Sequence, residues 1–170
     1  EEIPFIEAAE IGTEKVIKDH STIGIVVTTD GSIGDFNRND YLEAEKRVIE
    51  ELKNIGKPFI ILLNSTHPTL PETARIGEEL NEEYNVPVIP ISVLDMNEKD
   101  LYSILKEALY EFPVLNVNVE IPDWIGSLKV NHPIKEVYMN RIRESVVEVD
   151  KLKDVETINN LSEVDLYFAI

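Results

Sequence analysis

Three short stretches carry the residue types that could hold a polar ligand: Thr28-Thr29-Asp30-Gly31, Asn64-Ser65 and Ser92-Val93-Leu94. Each directly follows an apolar run. In open parallel sheets ligands bind outside the carboxyl ends of the strands, so three such stretches belong on one rim. An asparagine there offers a carbonyl acceptor and an amide donor, and a serine hydroxyl offers both roles in one atom. Asn64 can stitch its loop to the neighbouring loops, and Ser92 can support the same pocket. The candidate ligand-facing residues are therefore Asn64, Ser65, Ser92 and Val93; no catalytic residue and no metal ligand is singled out. The competing reading makes Asn64-Ser65 a plain turn before a helix. Asp30 at a strand end could bind magnesium, although Asp-Gly after a strand is more often a turn. His20, His67 and His132 stand alone, without a second ligand at metal-site spacing, and read as surface or helix-end residues.

The elements that must position these residues follow from periodicity. "TIGIVVTTDG" is continuously apolar and β-branched from Ile23 to Thr28, as in a strand buried on both faces. Asp40 with Glu43 reads as a capping box opening a helix whose stripe is Leu42, Val48, Ile49, Leu52 and Ile55, ending at Gly56. A strand from Phe59 to Leu63 and a helix opening near Thr69-x-x-Glu72 and running to Tyr84 repeat the cycle. So do a short strand from Pro87 to Ser92 and a helix opened by Asn97-x-x-Asp100. Three strand-then-helix units in series imply crossovers and a parallel sheet. The fold class expected is α/β, a mostly parallel sheet with helices on both faces. A further helix is expected from Glu7 to about Asp19, weakened by Gly12.

Past Pro113 the pattern changes. Leu115, Val117, Val119 and Ile121 alternate with Asn116, Asn118 and Glu120, as in an antiparallel or edge strand. A helix follows with Ile134, Val137, Tyr138, Ile142, Val146 and Val149 on one side, and Trp124 and the Val137/Tyr138 stripe read as core. The expected division is 1–113, one α/β unit, and 114–170, the start of a smaller α+β domain.

Composition narrows the partners. The 170 residues hold 33 acidic and 16 basic side chains, a formal charge of −17. A phosphate backbone would be repelled, so nucleic acid is not an expected partner. There is no cysteine to oxidise or to bind zinc. No apolar run approaches the roughly 18 residues that cross a bilayer, so direct membrane insertion is not expected and the cytoplasm is the simplest compartment. The opening Glu1-Glu2-Ile3-Pro4 has no initiator methionine and reads as the interior of a longer protein.

"LLNS", followed after one helix by "VIPISVL", resembles the two base-holding loops of P-loop GTPases in order, spacing and strand context. Those enzymes spell the first loop Asn-Lys-x-Asp. Here Ser65 stands at the lysine, and His67 stands at the carboxylate that would accept from the guanine ring N–H and amine. A purine pocket built on this loop lacks the guanine contact and suits adenine or loose specificity. No Gly-x-x-x-x-Gly-Lys-[Ser/Thr] phosphate cradle occurs in the chain.

Longer strings carry a more specific likeness. "IPFIEAAEIGTEKVIKDHSTIGIVVTTDGSI", "EAEKRVIEELKNIGKPFIILLNSTHP", "YEFPV" and "IPDWIGSLKVNHPIKEVYMNRIRESVVEVDKL" resemble the stage IV sporulation protein A family, the spore-coat morphogenetic ATPases of spore-forming bacteria. The resemblance covers the whole chain, and it implies the C-terminal part of a translation-factor-type P-loop ATPase domain followed by the start of a middle domain. It implies ATP and Mg2+ as cofactors of the full-length protein, with phosphate loop and magnesium ligands upstream, and none tightly bound to this segment. It further implies self-assembly into a polymer on the outer forespore surface, in the mother-cell cytoplasm, as the base for coat proteins and in contact with a membrane-associated sporulation adaptor. The rival expectation is a non-catalytic α/β interaction or scaffold module that binds no nucleotide. In either case the strand at Ile23 to Thr28 is expected to leave an apolar sheet edge that something must cover, a second copy of the chain being the expected partner.

Overall fold

The computed structural model describes residues 15–147 and 149–155, with the backbone of 165–169. It divides into two compact units that meet between Ala108 and Leu109. In the first, β1 (Gly24–Thr29), β2 (Phe59–Asn64) and β3 (Val88–Ile91) form a parallel sheet in the order β1-β2-β3. The helices α1 (Arg38–Ile55), α2 (Pro71–Tyr84) and α3 (Glu98–Tyr110) follow the strands in turn. The α/β expectation holds, with helices on both faces.

The central strand shows why. "FIILLN" is apolar at five successive positions, all buried, and the two-residue period of a strand sends alternate side chains to opposite faces. Phe59, Ile61 and Leu63 join Val26, Ile49, Leu52, Leu80 and Tyr84 in the cluster under α1 and α2. Ile60 and Leu62 join Ile91, Ile104 and Ala108 under α3. A fully buried aliphatic side chain of this size contributes about 1.5–3 kcal/mol, so β2 anchors both layers.

β1 departs from the expectation of burial on both faces. Val26 is buried among the first cluster, but Ile25 and Val27 are 45% and 60% exposed. The register pairs them with Ile60 and Leu62, whose face is closed by Ile104 and Ala108 of α3 together with Ile91 of β3. A β-branched run makes a strand fit to be covered twice; whether it is depends on what lies beside it.

Helix boundaries shift by small amounts for local reasons. α1 starts with Asn37 as its cap, and Asp40 is the returning partner whose Oδ2 accepts the Asn37 N–H at 2.9 Å. Its end is at Gly56, whose φ of 72° lets its N–H reach Leu52 and Lys53 carbonyls at 3.1 Å. α2 opens at Pro71 rather than near Thr69, since proline is pre-set for the first helical position and lacks only an N–H that would be orphaned there. At α3 the expected cap is present: Asp100 Oδ2 accepts from Asn97 N and Asn97 Oδ1 accepts from Lys99 N, both 2.9 Å. The expected helix from Glu7 to Asp19 lies mostly outside the described residues; Val16–His20 form a π-helical turn.

In the second unit β4 (Asn116–Glu120) pairs antiparallel with β5 (Asp165–Ala169), from Asn116↔Ala169 to Glu120↔Asp165. Asn116, Asn118 and Glu120 are exposed and Val117 and Val119 half-buried, as the alternation predicts. The short α4 (Asp123–Gly126) and α5 (Pro133–Val147) follow. Two expected core residues are not core: Trp124 and Val137 are 56% and 69% exposed, whereas Ile125 and Ile142 are buried. An apolar stripe marks a helix face, but neighbours decide how much of it is covered. The buried carboxylate of Glu111 is met by Lys151 Nζ and, at 3.0 Å, by Lys153 Nζ. Main-chain bonds of 2.9 Å from Leu152 N to Phe112 O and from Val114 N to Asp150 O hold the two segments side by side.

Candidate functional site

The three sequence stretches do come together. The register sets Thr29 beside Asn64 and Asn64 beside Ile91, so the strands end on a common line. Asn64, the last residue of β2, ties the line together: its Oδ1 accepts the Val93 N–H at 3.0 Å, and its main-chain carbonyl accepts from Asp30 N at 3.4 Å. Ser65 N donates to Ile91 O at 2.9 Å. The side-chain amide thus joins the loop after β2 to the loop after β3.

Ser65 has no exposed surface (0%). Its Oγ accepts the His67 N–H at 2.9 Å and lies 3.5 Å from Thr73 Oγ1, so this hydroxyl shapes the loop from inside. Ser92 closes its own turn, donating to Asp95 Oδ2 at 2.7 Å and accepting from Asp95 N at 3.4 Å. Val93 contributes its amide, and its side chain is exposed.

Asp30 organises the loop after β1. Its Oδ1 accepts from Ser32 N at 2.9 Å and Ser32 Oγ at 2.6 Å, and its Oδ2 accepts from Thr73 Oγ1 at 3.0 Å. Burial alone would raise this carboxyl, but the hydroxyl and amide of Ser32, with Ser65 and Thr73, outweigh it and hold the pKa below the usual 3.8. Both oxygens are engaged by the protein's own donors, the arrangement of a turn. No group of three His, Asp or Glu side chains that could hold a metal ion occurs among the described residues. Gly31 (φ 89°) is required here, because a Cβ would lie 2.7 Å from Arg38 N. Arg38, the first residue of α1, ties that helix to the end of β1: it forks onto Glu45 at 2.6 and 2.8 Å and donates to Thr28 Oγ1 at 3.1 Å.

Sequence reasoning missed Ser32, Thr66 and Thr73. Ser32 Oγ accepts from Thr66 N at 2.9 Å, linking the first loop to the second, and Thr73 bridges Asp30 to the carbonyl of His67 (3.3 Å). A signal for Thr73 existed: it falls on the stripe Thr73, Gly77, Leu80, Tyr84 that α2 buries, a polar residue on an apolar face. Ser32 and Thr66 carry no such pattern. The main chain of His67 belongs to this network through Ser65 and Thr73, while its side chain is exposed, with Nδ1 2.9 Å from Thr66 Oγ1.

The arrangement is a polar shelf at the carboxyl ends of a parallel sheet, its three loops hydrogen-bonded to one another through Asn64, Ser32 and Thr73. Residues 1–113 match the family profile described as Stage IV sporulation protein A, ATPase domain, and residues 114–168 match that family's middle domain. The chain is similar to Stage IV sporulation protein A of Bacillus subtilis (strain 168), 56% identical over 158 residues. It is likewise similar to the proteins of that name from Bacillus anthracis and Clostridioides difficile (strain 630), at 51% and 46%. Each alignment covers 93% of this chain and 32% of the relative, so the chain spans about a third of the length of these proteins. No solved structure gives a significant match.

Proposed function

The chain belongs to the stage IV sporulation protein A family, and from that premise we propose that it supplies the base-side part of an ATPase domain in a sporulation protein. The observation that carries this reading is the Asn64 bridge to Val93, which locks two successive strand-end loops into one surface. Asn64 and the Val93 loop hold the base, while Ser65 and Ser92 keep the loops in shape. The triphosphate and Mg2+ are held by a phosphate loop in the part of the protein outside this chain, and the ATPase part ends near residue 113. ATP hydrolysis drives assembly into a polymer on the outer forespore surface, in the mother-cell cytoplasm. That layer receives the coat proteins and is held by a membrane-associated adaptor. The charge of −17 disfavours nucleic acid, and no described helix is long and apolar enough to cross a membrane.

The test is phosphate release, calorimetry with ATP and magnesium, and sedimentation, on the full-length protein and on residues 1–170. The full-length protein is expected to hydrolyse ATP and sediment as a polymer. The segment alone is expected to show no micromolar binding, because base contacts without a phosphate cradle leave the triphosphate against an acidic surface. Absence of turnover in the full-length protein would overturn the reading. A second reading, an interaction module without nucleotide, is favoured by the exposed Ile25 and Val27 on β1. It requires that Asn64→Ala leave ATP affinity of the full-length protein unchanged.

A further inference from the structure

We infer that the open side of β1, together with one flank of α3, is a seat for a further helix of the same polypeptide, contributed by the part of the protein outside these 170 residues. The isolated chain keeps this seat open, and the full-length protein closes it, whether or not the rim holds a base.

The seat has a floor and a wall. Ile25 and Val27 are the floor, on the face where their register partners Ile60 and Leu62 meet α3. α3 supplies the wall. Its Ile104 and Ala108 face the sheet, and a helical turn of about 100° per residue puts Leu101 and Leu105 together on one flank beside them. Both leucines are about half exposed, at 47% and 52%. The opposite flank carries Asp100, Ser103 and Glu107. Handedness decides which flank looks toward β1. Right-handed crossovers put α1 and α2 on one face as the strands step from β1 to β3, and α3 runs back against the strand direction on the other. A right-handed helix on that path turns Leu101 and Leu105 to the β1 side. Two apolar surfaces therefore meet at an angle over β1.

Spacing sets what fits there. Helices pack about 8–10 Å apart and strands about 4.8 Å apart, so a helix laid beside α3, which covers β2 and β3, lies over β1 and the position next to its outer edge. That edge has no partner strand among the described residues. Parallel sheets are covered on both faces, normally by their own crossover helices, and the occupant expected is an amphipathic helix whose aliphatic face meets Val27 and Leu105. A second copy of this chain is the weaker candidate, because it would bring another charge of −17 against the first. The polypeptide has length to spare: the alignments cover 32% of each relative, leaving about two thirds of those proteins outside the matched region.

The experiment is thiol labelling of the full-length protein without nucleotide, read against the unsubstituted protein as baseline; these 170 residues contribute no cysteine of their own. Val27→Cys is compared with Tyr102→Cys, which sits on the outer side of α3 and is exposed. Val27→Cys is expected to react roughly tenfold more slowly or less, since a covered thiol reacts only when its cover opens, and the difference should persist on dilution. Leu105→Cys, labelled in parallel, carries the same test if Val27→Cys disturbs the fold. A benzophenone attached at Leu105→Cys should cross-link within one polypeptide to a segment outside residues 1–170, located by mass spectrometry. Labelling of Val27→Cys and Leu105→Cys as fast as Tyr102→Cys, at unchanged circular dichroism, means an open face and overturns the inference. Protection that disappears on dilution, or a cross-link to a second polypeptide, assigns the seat to another copy and overturns it as well. So does a cross-link confined to residues 1–170, which would make this chain its own cover.

Discussion

The two faces of the three-stranded sheet are made from the same kinds of residue and end differently. Toward α1 and α2, β1 contributes Val26 to a closed cluster with Ile49, Ile61, Leu63 and Leu80. Toward α3, β2 and β3 are covered by Ile104 and Ala108, but Ile25 and Val27 of β1 remain in the open. One strand, "GIVVTT", thus has a finished face and an unfinished one. The difference teaches that hydrophobicity is a property of the strand, and burial a property of its neighbours.

The comparison breaks most sharply at the centre of the closed face. Ile61→Ala is expected to cost about 3–4 kcal/mol in denaturant unfolding, because Ile61 is fully buried and surrounded. Val27→Ala should cost about 0.5 kcal/mol or less. Similar losses at the two positions would mean that the open face is covered in the protein as it exists.

Next in size is the ion pair on the closed side. Glu45→Ala leaves the Arg38 guanidinium without its fork and should cost about 2 kcal/mol. That is less than for a wholly buried pair, because Arg38 keeps some solvent contact. Thermal unfolding of Glu45→Ala against Glu45→Gln measures it, the amide recovering part of the loss by accepting one of the two bonds.

A smaller effect belongs to the rim and is read by acid. Asp30 has a folded pKa lowered below 3.8; burial pushes it up, and the hydrogen bonds of Ser32, Ser65 and Thr73 more than offset that. A lowered folded value means that its contribution is fully present above the unfolded value and is lost as pH falls through the folded one. Stability should therefore fall below about pH 4 by an amount that disappears in Asp30→Asn, followed as the unfolding midpoint against pH. An unchanged acid profile in Asp30→Asn would mean that the loop is held without the charge.

The smallest expected change in stability is the one that sharpens the comparison most. Val27→Lys places a charge on the exposed side of β1 and should alter stability by about 0.5 kcal/mol or less, while reducing self-association in sedimentation if a second copy covers this edge. Val26→Lys, one residue away and pointing into the closed cluster, should prevent folding.

Much of this molecule is legible in its sequence. The three strand-helix units are announced by "GIVVTT", "FIILLN" and "VIPI" and by helix signals at Gly56 and Asn97, because strand and helix periods differ and caps obey local geometry. The antiparallel strand at Asn116–Glu120 is equally plain from its alternation. The helix starts at Arg38 and Pro71 were less exact, since a capping box can be read one register off and proline shifts the entry. Trp124 and Val137 were misjudged because an apolar stripe does not state how far its neighbours extend.

At the rim the same division appears. Residue type alone determined that Asn64 could accept and donate, that Ser65 and Ser92 could bridge, and that the phosphate cradle is not spelled in these 170 residues. Only the tertiary structure decided that Asn64 reaches Val93, that Ser65 turns inward to His67, that Ser92 closes its own turn, and that Thr73 from a different helix completes the shelf. The physical reason is range. Strand and helix patterns are fixed by neighbours a few positions away, whereas a hydroxyl within 3 Å of several donors takes the partner that packing brings nearest. Thr73 meets Asp30 across 43 positions of chain because α2 and the end of β1 are brought together by the core beneath them.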